Sequence, residues 1–331
     1  MMRAAIVKDF GPILVHTVGD VPEPIPNAGE VLVTVKATAV NFVDSLVMTG
    51  KYQFLPQRPF VPGKLPVGVV SSLGQGVCEL QVGDRVLTLA EQGGYAQKIA
   101  VDAKQCFKLP DAMSFGEAAS MALVYDTSWF ALCERARLKV GESVLVLGAT
   151  GGVGFASVQL AKAMGAKVLA GISNASKAQA VLAAGADDFI DLSQPNLRDS
   201  LRDQVFAKNG GQGVDIVIDP IGGDAFDAAL RALAWRGRLV VIGFASGRIP
   251  EVKANYLLVK NIEVTGLQVS DYRKRMPEMM AECMRHIFAL YEAGKLKPPP
   301  FRTVPLDAFA TSLQEVVDRR AKGRIVLEPN R

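Results

Sequence analysis

Histidine and cysteine are scarce in this chain of 331 residues: it has two histidines, His16 and His286, and four cysteines, Cys78, Cys106, Cys133 and Cys283, none in a Cys-x-x-Cys pair. A Cys/His zinc centre needs several such ligands at short spacings, so no metal site is predicted. The wide cysteine spacing also argues against a disulfide framework, and in a reducing compartment these residues read as buried small hydrophobes. Apolar runs are broken by charge, Gly or Pro well short of the ~18 residues that a membrane-spanning helix requires. The opening MMRAAIVKDFG has neither a long apolar core nor a small-residue cleavage site, and a cytoplasmic protein is expected. No block of one charge sign occurs. The 37 Lys and Arg and 33 Asp and Glu are intermixed, leaving a net charge of +4, so nucleic acid is not an indicated partner.

What is present is an ordinary globular composition, 49% hydrophobic and 21% charged, far from disordered or fibrous classes. The length exceeds a usual single domain and predicts two domains, or one interrupted by another. As far as about Leu123 the chain is punctuated by Gly and Pro. It carries short alternating runs there, Val31-Leu-Val-Thr-Val-Lys36 and Arg85-Val-Leu-Thr-Leu89, which read as strands joined by turns. From Gly141 the texture changes. Apolar runs at Ser143 to Leu147, Lys167 to Ile172, Asp188 to Asp191, Asp215 to Asp219, Arg238 to Ile242 and Glu263 to Leu267 alternate with Ala-rich stretches. That alternation predicts a doubly wound parallel sheet. A helical stretch around Met276 to Ala293, a Pro298-Pro299-Pro300 turn and a strand-helix-strand finish ending in Arg324-Ile-Val-Leu327 read as a return to the first domain.

The most informative segment runs from Ser143 through Gly148-Ala-Thr-Gly-Gly-Val-Gly154 to Gly165 and then Ala166 to Ile172: strand, glycine turn, helix, strand. In that setting Gly148 and Gly151 permit a tight turn, Gly152 lets backbone approach a pyrophosphate, and Gly154 lets the helix pack closely on the sheet. Phosphate is then held at the helix N-terminus, with Thr150 and Val153 in the same turn. The spacing GxxGGxG departs from the simple GxGxxG fingerprint, so the dinucleotide reading depends on the flanking strands and helix. An NAD site would place Asp or Glu at the end of the second strand to bind the adenosine ribose. This chain has Ala170-Gly171-Ile172-Ser173-Asn174 there. Ser173 supplies a hydrogen-bond donor and Lys177 a positive charge suited to a 2′-phosphate. NADPH is therefore the expected cofactor, while an ordinary solvated lysine is the alternative for Lys177.

These residues point to a family. The chain resembles the medium-chain dehydrogenase/reductase superfamily, and within it the NADPH:quinone oxidoreductase (zeta-crystallin-like) branch. The resemblance is carried by Gly29-Glu-Val-Leu-Val, Ala39-Val-Asn-Phe-Val-Asp44, Gly50-Lys-Tyr52, Pro59-Phe-Val-Pro-Gly63, Val82-Gly-Asp-Arg-Val86, Gly148 to Gly154, Gly237 to Gly247 and Lys322 to Leu327. It implies an α/β architecture: a GroES-like β-rich catalytic domain from residues 1–123 and 268–331, and a doubly wound Rossmann NADPH-binding domain from residues 124–267. It implies an active site in the cleft between them, a homodimer, and a small-molecule electron acceptor. It places Asn41 and Asp44 by cofactor and substrate, Tyr52 on the substrate side, Thr127 near the nicotinamide, and Gly243, Phe244 and Ala245 in a loop beside it. Three departures stand out. The acid of the alcohol dehydrogenase Pro-Gly-x-Glu motif is missing in Pro62-Gly-Lys-Leu65. Leu192 stands where many relatives carry a Tyr that packs on the adenosine. Asp126 replaces a usual Gly just before Thr127; a turn-facing, solvated carboxylate is expected for it, and a carboxylate near the nicotinamide that alters substrate choice is the alternative.

A quinone or an enal is already electrophilic, so hydride transfer to it needs alignment, exclusion of water and hydrogen bonds to the oxygen that gains charge, with no metal Lewis acid. Tyr52 and Asn41 are the candidate donors, with Asp44 orienting them or the ribose. Local capping of a helix start is the alternative for Asn41 and Asp44, and simple packing for Tyr52. Phe42, Phe54, Phe60 and Phe244 are expected mostly in the core, some walling the site. The function implied is zinc-independent hydride transfer from NADPH to a quinone. The alternatives are a 2-alkenal, enone or enoyl-thioester reductase, or a non-catalytic NADPH-binding redox sensor or RNA-binding protein.

Overall fold

A computed structural model describes residues 1–331, and their packing divides the chain into two units, Met1–Leu123 with Pro298–Arg331 and Val124–Lys297. The first unit begins with an antiparallel pair, β1 (Met2–Ile6) and β2 (Thr17–Val21). There follow β3 (Glu30–Ala39), α1 (Phe42–Met48), β4 (Val67–Leu73), β5 (Arg85–Thr88), β6 (Lys98–Asp102), β7 (Cys106–Lys108) and α2 (Phe115–Met121). In β3 the alternating Val31, Val33 and Val35 all enter one buried cluster with Val70, Val86 and Ile99, because a strand's side chains point to opposite faces in turn. The predicted runs at 31–36 and 85–89 are thus strands of one sheet.

The second unit opens with α3 (Val124–Trp129), which continues into a π-helical turn, Phe130–Arg135. It then runs β8 (Ser143–Leu147), α4 (Gly152–Ala163), β9 (Lys167–Ile172), α5 (Ala178–Ala183), β10 (Asp188–Asp191), α6 (Leu197–Lys208), β11 (Val214–Asp219), α7 (Gly223–Ala232), β12 (Leu233–Val241), α8 (Ala254–Lys260), β13 (Glu263–Gly266), α9 (Val269–Arg275) and α10 (Pro277–Glu292). The six strands form one parallel sheet in the order β10-β9-β8-β11-β12-β13. All five residues of β8 are buried, as expected for a strand covered by helices on both faces. The order reverses between β8 and β11, so the ends of these strands, Leu147 and Asp219, border the crevice where doubly wound sheets bind ligands.

Residues 268–297 group with this second unit, whereas the sequence reading assigned them to the first. The reason is the one-sided pattern of α10. Met280, Cys283, Met284, Ile287 and Leu290 are buried, and each of the Met, Ile and Leu side chains contributes roughly 1.5–3 kcal/mol by leaving water. Trp129 of α3 also donates to His286 Nδ1 at 2.9 Å. The chain then returns to the first unit with β14 (Phe301–Pro305), α11 (Phe309–Val317) and β15 (Arg324–Glu328). β15 lies between β14 and β3, with Val326 opposite Ala39. Of the four cysteines only Cys283 is buried. Cys78 is exposed in the loop after β4, and Cys106 and Cys133 are half-buried, so the expectation of four buried thiols is corrected. No helix is long and apolar enough to cross a membrane.

Candidate functional site

In the second unit β8 hands over to α4 through Gly148, whose φ of +62° only glycine adopts freely. Gly151, expected to share that task, is extended at φ −82° and forms the N-cap of α4; here the tight turn depends on Gly148 alone. Gly154 is required by space: a Cβ there would lie 2.1 Å from the Gly148 carbonyl oxygen. No side chain caps α4 and its first turn holds no acid, so the first-turn N–H groups and the positive end of the helix dipole have no side-chain acceptor from the N-cap residue. Gly152 and Val153 open the helix and Thr150 is exposed next to them. The arrangement fits a pyrophosphate. Thr127 is buried on α3, one residue before Ser128, whose Oγ lies 3.0 Å from the Val153 carbonyl and accepts from Ser157 Oγ at 2.9 Å. These bonds fix α3, and with it Thr127, against the start of α4.

Near the end of β9 the backbone is closely packed. A Cβ on Gly171 would meet the Val146 carbonyl at 3.2 Å and Leu192 Cδ1 at 3.3 Å. Leu192 packs on the core of the unit and occupies the space that a larger residue at 171 would need. Beyond the strand, Ser173 and Lys177 are exposed. Asn174 Oδ1 accepts from Ser176 N (2.9 Å) and Ser176 Oγ (2.7 Å), which caps the single turn Ala175–Lys177.

The Gly243–Ala245 loop rests on the turn after β11. Ala245 N donates to the Pro220 carbonyl (3.2 Å) and Ser246 N to the Ile221 carbonyl (2.9 Å). That turn is organised by Asp219, a residue the sequence reading passed over. Its buried Oδ1 accepts from the N–H groups of Ile221 (2.8 Å) and Gly222 (2.9 Å). Oδ2 has no hydrogen-bond partner, and burial pushes the carboxyl up to about 6. The signal was there in Asp219-Pro-Ile-Gly-Gly223, an Asx-turn sequence directly after a strand.

Asp126 corrects an expectation. It is buried, not solvated, and Oδ2 accepts from Arg273 Nη2 at 2.5 Å and Nε at 3.2 Å, with Arg273 equally buried. The pair joins α3 to α9. Two charges sequestered together are costly to separate, so this carboxylate anchors the helix that carries Thr127.

In the first unit, α1 begins where β3 ends and buries Asn41 and Asp44. Asp44 Oδ2 accepts from the Asn41 N–H at 3.0 Å and from Tyr95 Oη at 2.7 Å. The capping alternative is therefore realised for Asp44. Burial raises its carboxyl to about 6, opposed by the Tyr95 bond, the Lys64 charge, the Asn41 N–H and the Arg324 charge. Burial, and then Asp44, in turn hold the Tyr95 phenol well above its usual value. The Asn41 side chain is also tied elsewhere: Oδ1 accepts from Arg324 Nη2 at 2.6 Å and Nδ2 donates to the Ala39 carbonyl at 3.1 Å. Tyr52 is half-buried, edge-on to Phe54 at 6.4 Å between centroids, and lies under the ammonium of Lys64 at 5.7 Å. Phe60 is buried as expected, but Phe42, Phe54 and Phe244 are exposed, which corrects their assignment to the core. Glu91, Tyr95 and Arg324 carry no signal in their own segments, and Lys64 stands out in the sequence only as part of a departure from a motif.

Neither unit gathers three or more His, Cys, Asp or Glu side chains in a way that could hold a metal ion. Comparison with known proteins matches residues 152–285 to the family described as zinc-binding dehydrogenase and residues 27–111 to the alcohol dehydrogenase GroES-like domain. The chain is 35% identical over 327 residues to quinone oxidoreductase-like protein 2 of Bos taurus, covering 98% of this chain and 92% of that one. It is similar to the solved structure of a mycobacterial protein complexed with NADPH (32% identity, TM-score 0.91, 99% of this chain and 100% of that one). It is also similar to the quinone oxidoreductase of Escherichia coli complexed with NADPH (29% identity, TM-score 0.90, the same coverage).

Proposed function

The chain belongs to the quinone oxidoreductase branch of the medium-chain dehydrogenase/reductase superfamily, and from that premise we propose a zinc-independent enzyme that passes a hydride from NADPH to a quinone or a similar electron-poor acceptor. It is an NADPH-dependent oxidoreductase. The observation that carries the cofactor half is the uncapped start of α4, where the Gly148 carbonyl leaves no room for a side chain at 154. Bound there, NADPH supplies the hydride. The residues of the chain do the rest. The first-turn N–H groups of α4 and Thr150 hold the pyrophosphate, Ser173 and Lys177 hold the 2′-phosphate, and Thr127 with the Gly243–Ala245 loop borders the nicotinamide. Tyr52, with Asn41, offers hydrogen bonds to the acceptor oxygen as it gains charge. Asp44 holds the start of α1, so it acts on the acceptor through Asn41.

The zinc-independent reading is supported by the donor set. Leu65 is buried where the alcohol dehydrogenases carry an acid, and the four cysteines and two histidines do not converge. Homodimer formation is supported by the edge position of β13 and by the exposed Leu258 and Val259 of α8 just before it, a combination that invites pairing with a second copy.

The test is the steady-state rate of NADPH oxidation with 1,4-benzoquinone, 9,10-phenanthrenequinone, an alkenal and an enoyl-CoA, alongside metal analysis of the purified protein. Higher kcat/KM with the quinones and less than stoichiometric zinc are expected. Preference for the alkenal or the enoyl thioester makes it an enone or thioester reductase, and tight NADPH binding with no turnover removes the enzymatic reading.

A further inference from the structure

The Pro62-Gly63-Lys64-Leu65 turn, which departs from the family's acidic motif, places a positive charge in the first unit. Lys64 is 4% exposed, and its Nζ bonds Glu91 Oε2 at 2.5 Å and the Glu91 carbonyl at 3.3 Å. The turn has little freedom. Backbone bonds from Gly93 N to Val61 O (2.8 Å), Tyr95 N to Pro62 O (2.9 Å), Gly94 N to Gly63 O (2.9 Å) and Leu65 N to Ala90 O (2.8 Å) tie residues 61–65 to residues 90–95. A Cβ on Gly63 would sit 2.3 Å from the Tyr95 ring. Leu65 is held buried at φ +52°, a conformation costly for a leucine that persists only where its surroundings enforce it. The outcome is a rigidly placed ammonium 5.7 Å from the centroid of the Tyr52 ring. Its charge also favours the ionised form of Asp44. Its counter-ion, Glu91, reaches partly into water at 25% exposure.

We propose that Lys64 is a positioning residue for Tyr52: held by Glu91 over the ring face, its ammonium orients the phenol and strengthens it as a hydrogen-bond donor to the acceptor oxygen. A cation over an aromatic face is attracted to the ring. It also stabilises negative charge that shifts onto the phenol oxygen when the O–H bond polarises toward an oxyanion, and it does so more effectively in a dry site than in water. The arrangement favours acceptors in which hydride addition puts charge on a carbonyl oxygen, as in quinones and enones. The inference rests on the reading of Tyr52 as the acceptor-side donor.

The experiment is a double-mutant cycle on kcat with a quinone, using Tyr52→Phe, Lys64→Met, both together, and Lys64→Arg, with NADPH affinity measured by fluorescence on each. Lys64→Met alone is expected to lower kcat about ten-fold, the equivalent of 1.4 kcal/mol in the barrier, with NADPH affinity unchanged. Lys64→Arg restores most of the loss, and in the Tyr52→Phe background Lys64→Met has almost no further effect. Glu91→Gln, which leaves the amine in place but frees it, covers the case in which Lys64→Met does not fold, and a several-fold loss of kcat that disappears in Tyr52→Phe is expected. Effects that multiply independently, or an unchanged kcat in Lys64→Met or Glu91→Gln, overturn the proposal. An inactive wild type overturns the functional reading itself, and the two failures are told apart by that control.

Discussion

The two units build their candidate sites in opposite ways. In the second unit the turn proposed to hold phosphate is made of backbone: a glycine at positive φ, a position where no Cβ fits, and a helix start without a side-chain cap. In the first unit the cluster proposed to face the acceptor is made of side chains, Asn41, Asp44, Tyr52, Lys64, Glu91, Tyr95 and Arg324, drawn from as far apart as residues 41 and 324. A backbone site leaves a contiguous trace in sequence because its requirements fall on neighbouring residues. A side-chain site does not, because its partners are brought together only by tertiary packing. Each unit nevertheless buries one carboxyl raised to about 6, Asp219 under the backbone turn and Asp44 in the side-chain cluster.

The largest expected effect comes from the side-chain element on which the second unit does rely. Arg273→Met leaves Asp126 buried without its partner, which costs roughly 3–5 kcal/mol. Chemical denaturation measures this, and Asp126→Leu combined with Arg273→Met is expected to recover most of it. Next are the two buried carboxyls. With a native pKa near 6 and an unfolded value of 3.8, native Asp44 and Asp219 hold a proton that the unfolded chain releases in that window, so stability falls as pH rises through it. Asp44→Asn and Asp219→Asn should each flatten this fall by an amount on the order of 2–3 kcal/mol, read from urea midpoints at about pH 4 and 7. Only Asp219→Asn should also weaken NADPH binding, because its turn carries the Gly243–Ala245 loop. Gly154→Ala drives a methyl into the Gly148 carbonyl, with about 1–3 kcal/mol of destabilisation and loss of NADPH binding by fluorescence titration, whereas Tyr52→Phe in the first unit leaves that binding intact. The smallest effect is Lys177→Ala, expected to raise the KM for NADPH about ten-fold, the equivalent of 1.4 kcal/mol, while leaving that for NADH unchanged.

Much of the second unit was legible in the sequence. The strands at 143–147 and 167–172 fall where their apolar runs stand, because a parallel strand buried on both faces must be apolar nearly throughout; the edge strand at 188–191 buries only Ile190 fully. The helix 277–292 was legible as a helix but not as part of that unit, since its face could bury against either domain. The sequence predicts a solvated Asp126 because Arg273, its partner, lies 147 residues away and nothing local announces the pair. Lys64 looked like a departure from a motif, and its meaning needed Glu91 and Tyr52 in space. Asn41 and Asp44 were legible as a pair at a helix start. Their bonds to Arg324 and Tyr95, which show how each is held, were not.

The most direct test of the account is kcat/KM for NADPH against NADH with 9,10-phenanthrenequinone as acceptor. Rapid oxidation is expected, with NADPH favoured at least ten-fold, the equivalent of 1.4 kcal/mol from the 2′-phosphate contacts. Equal use of NADH, or no oxidation of either cofactor, would contradict it.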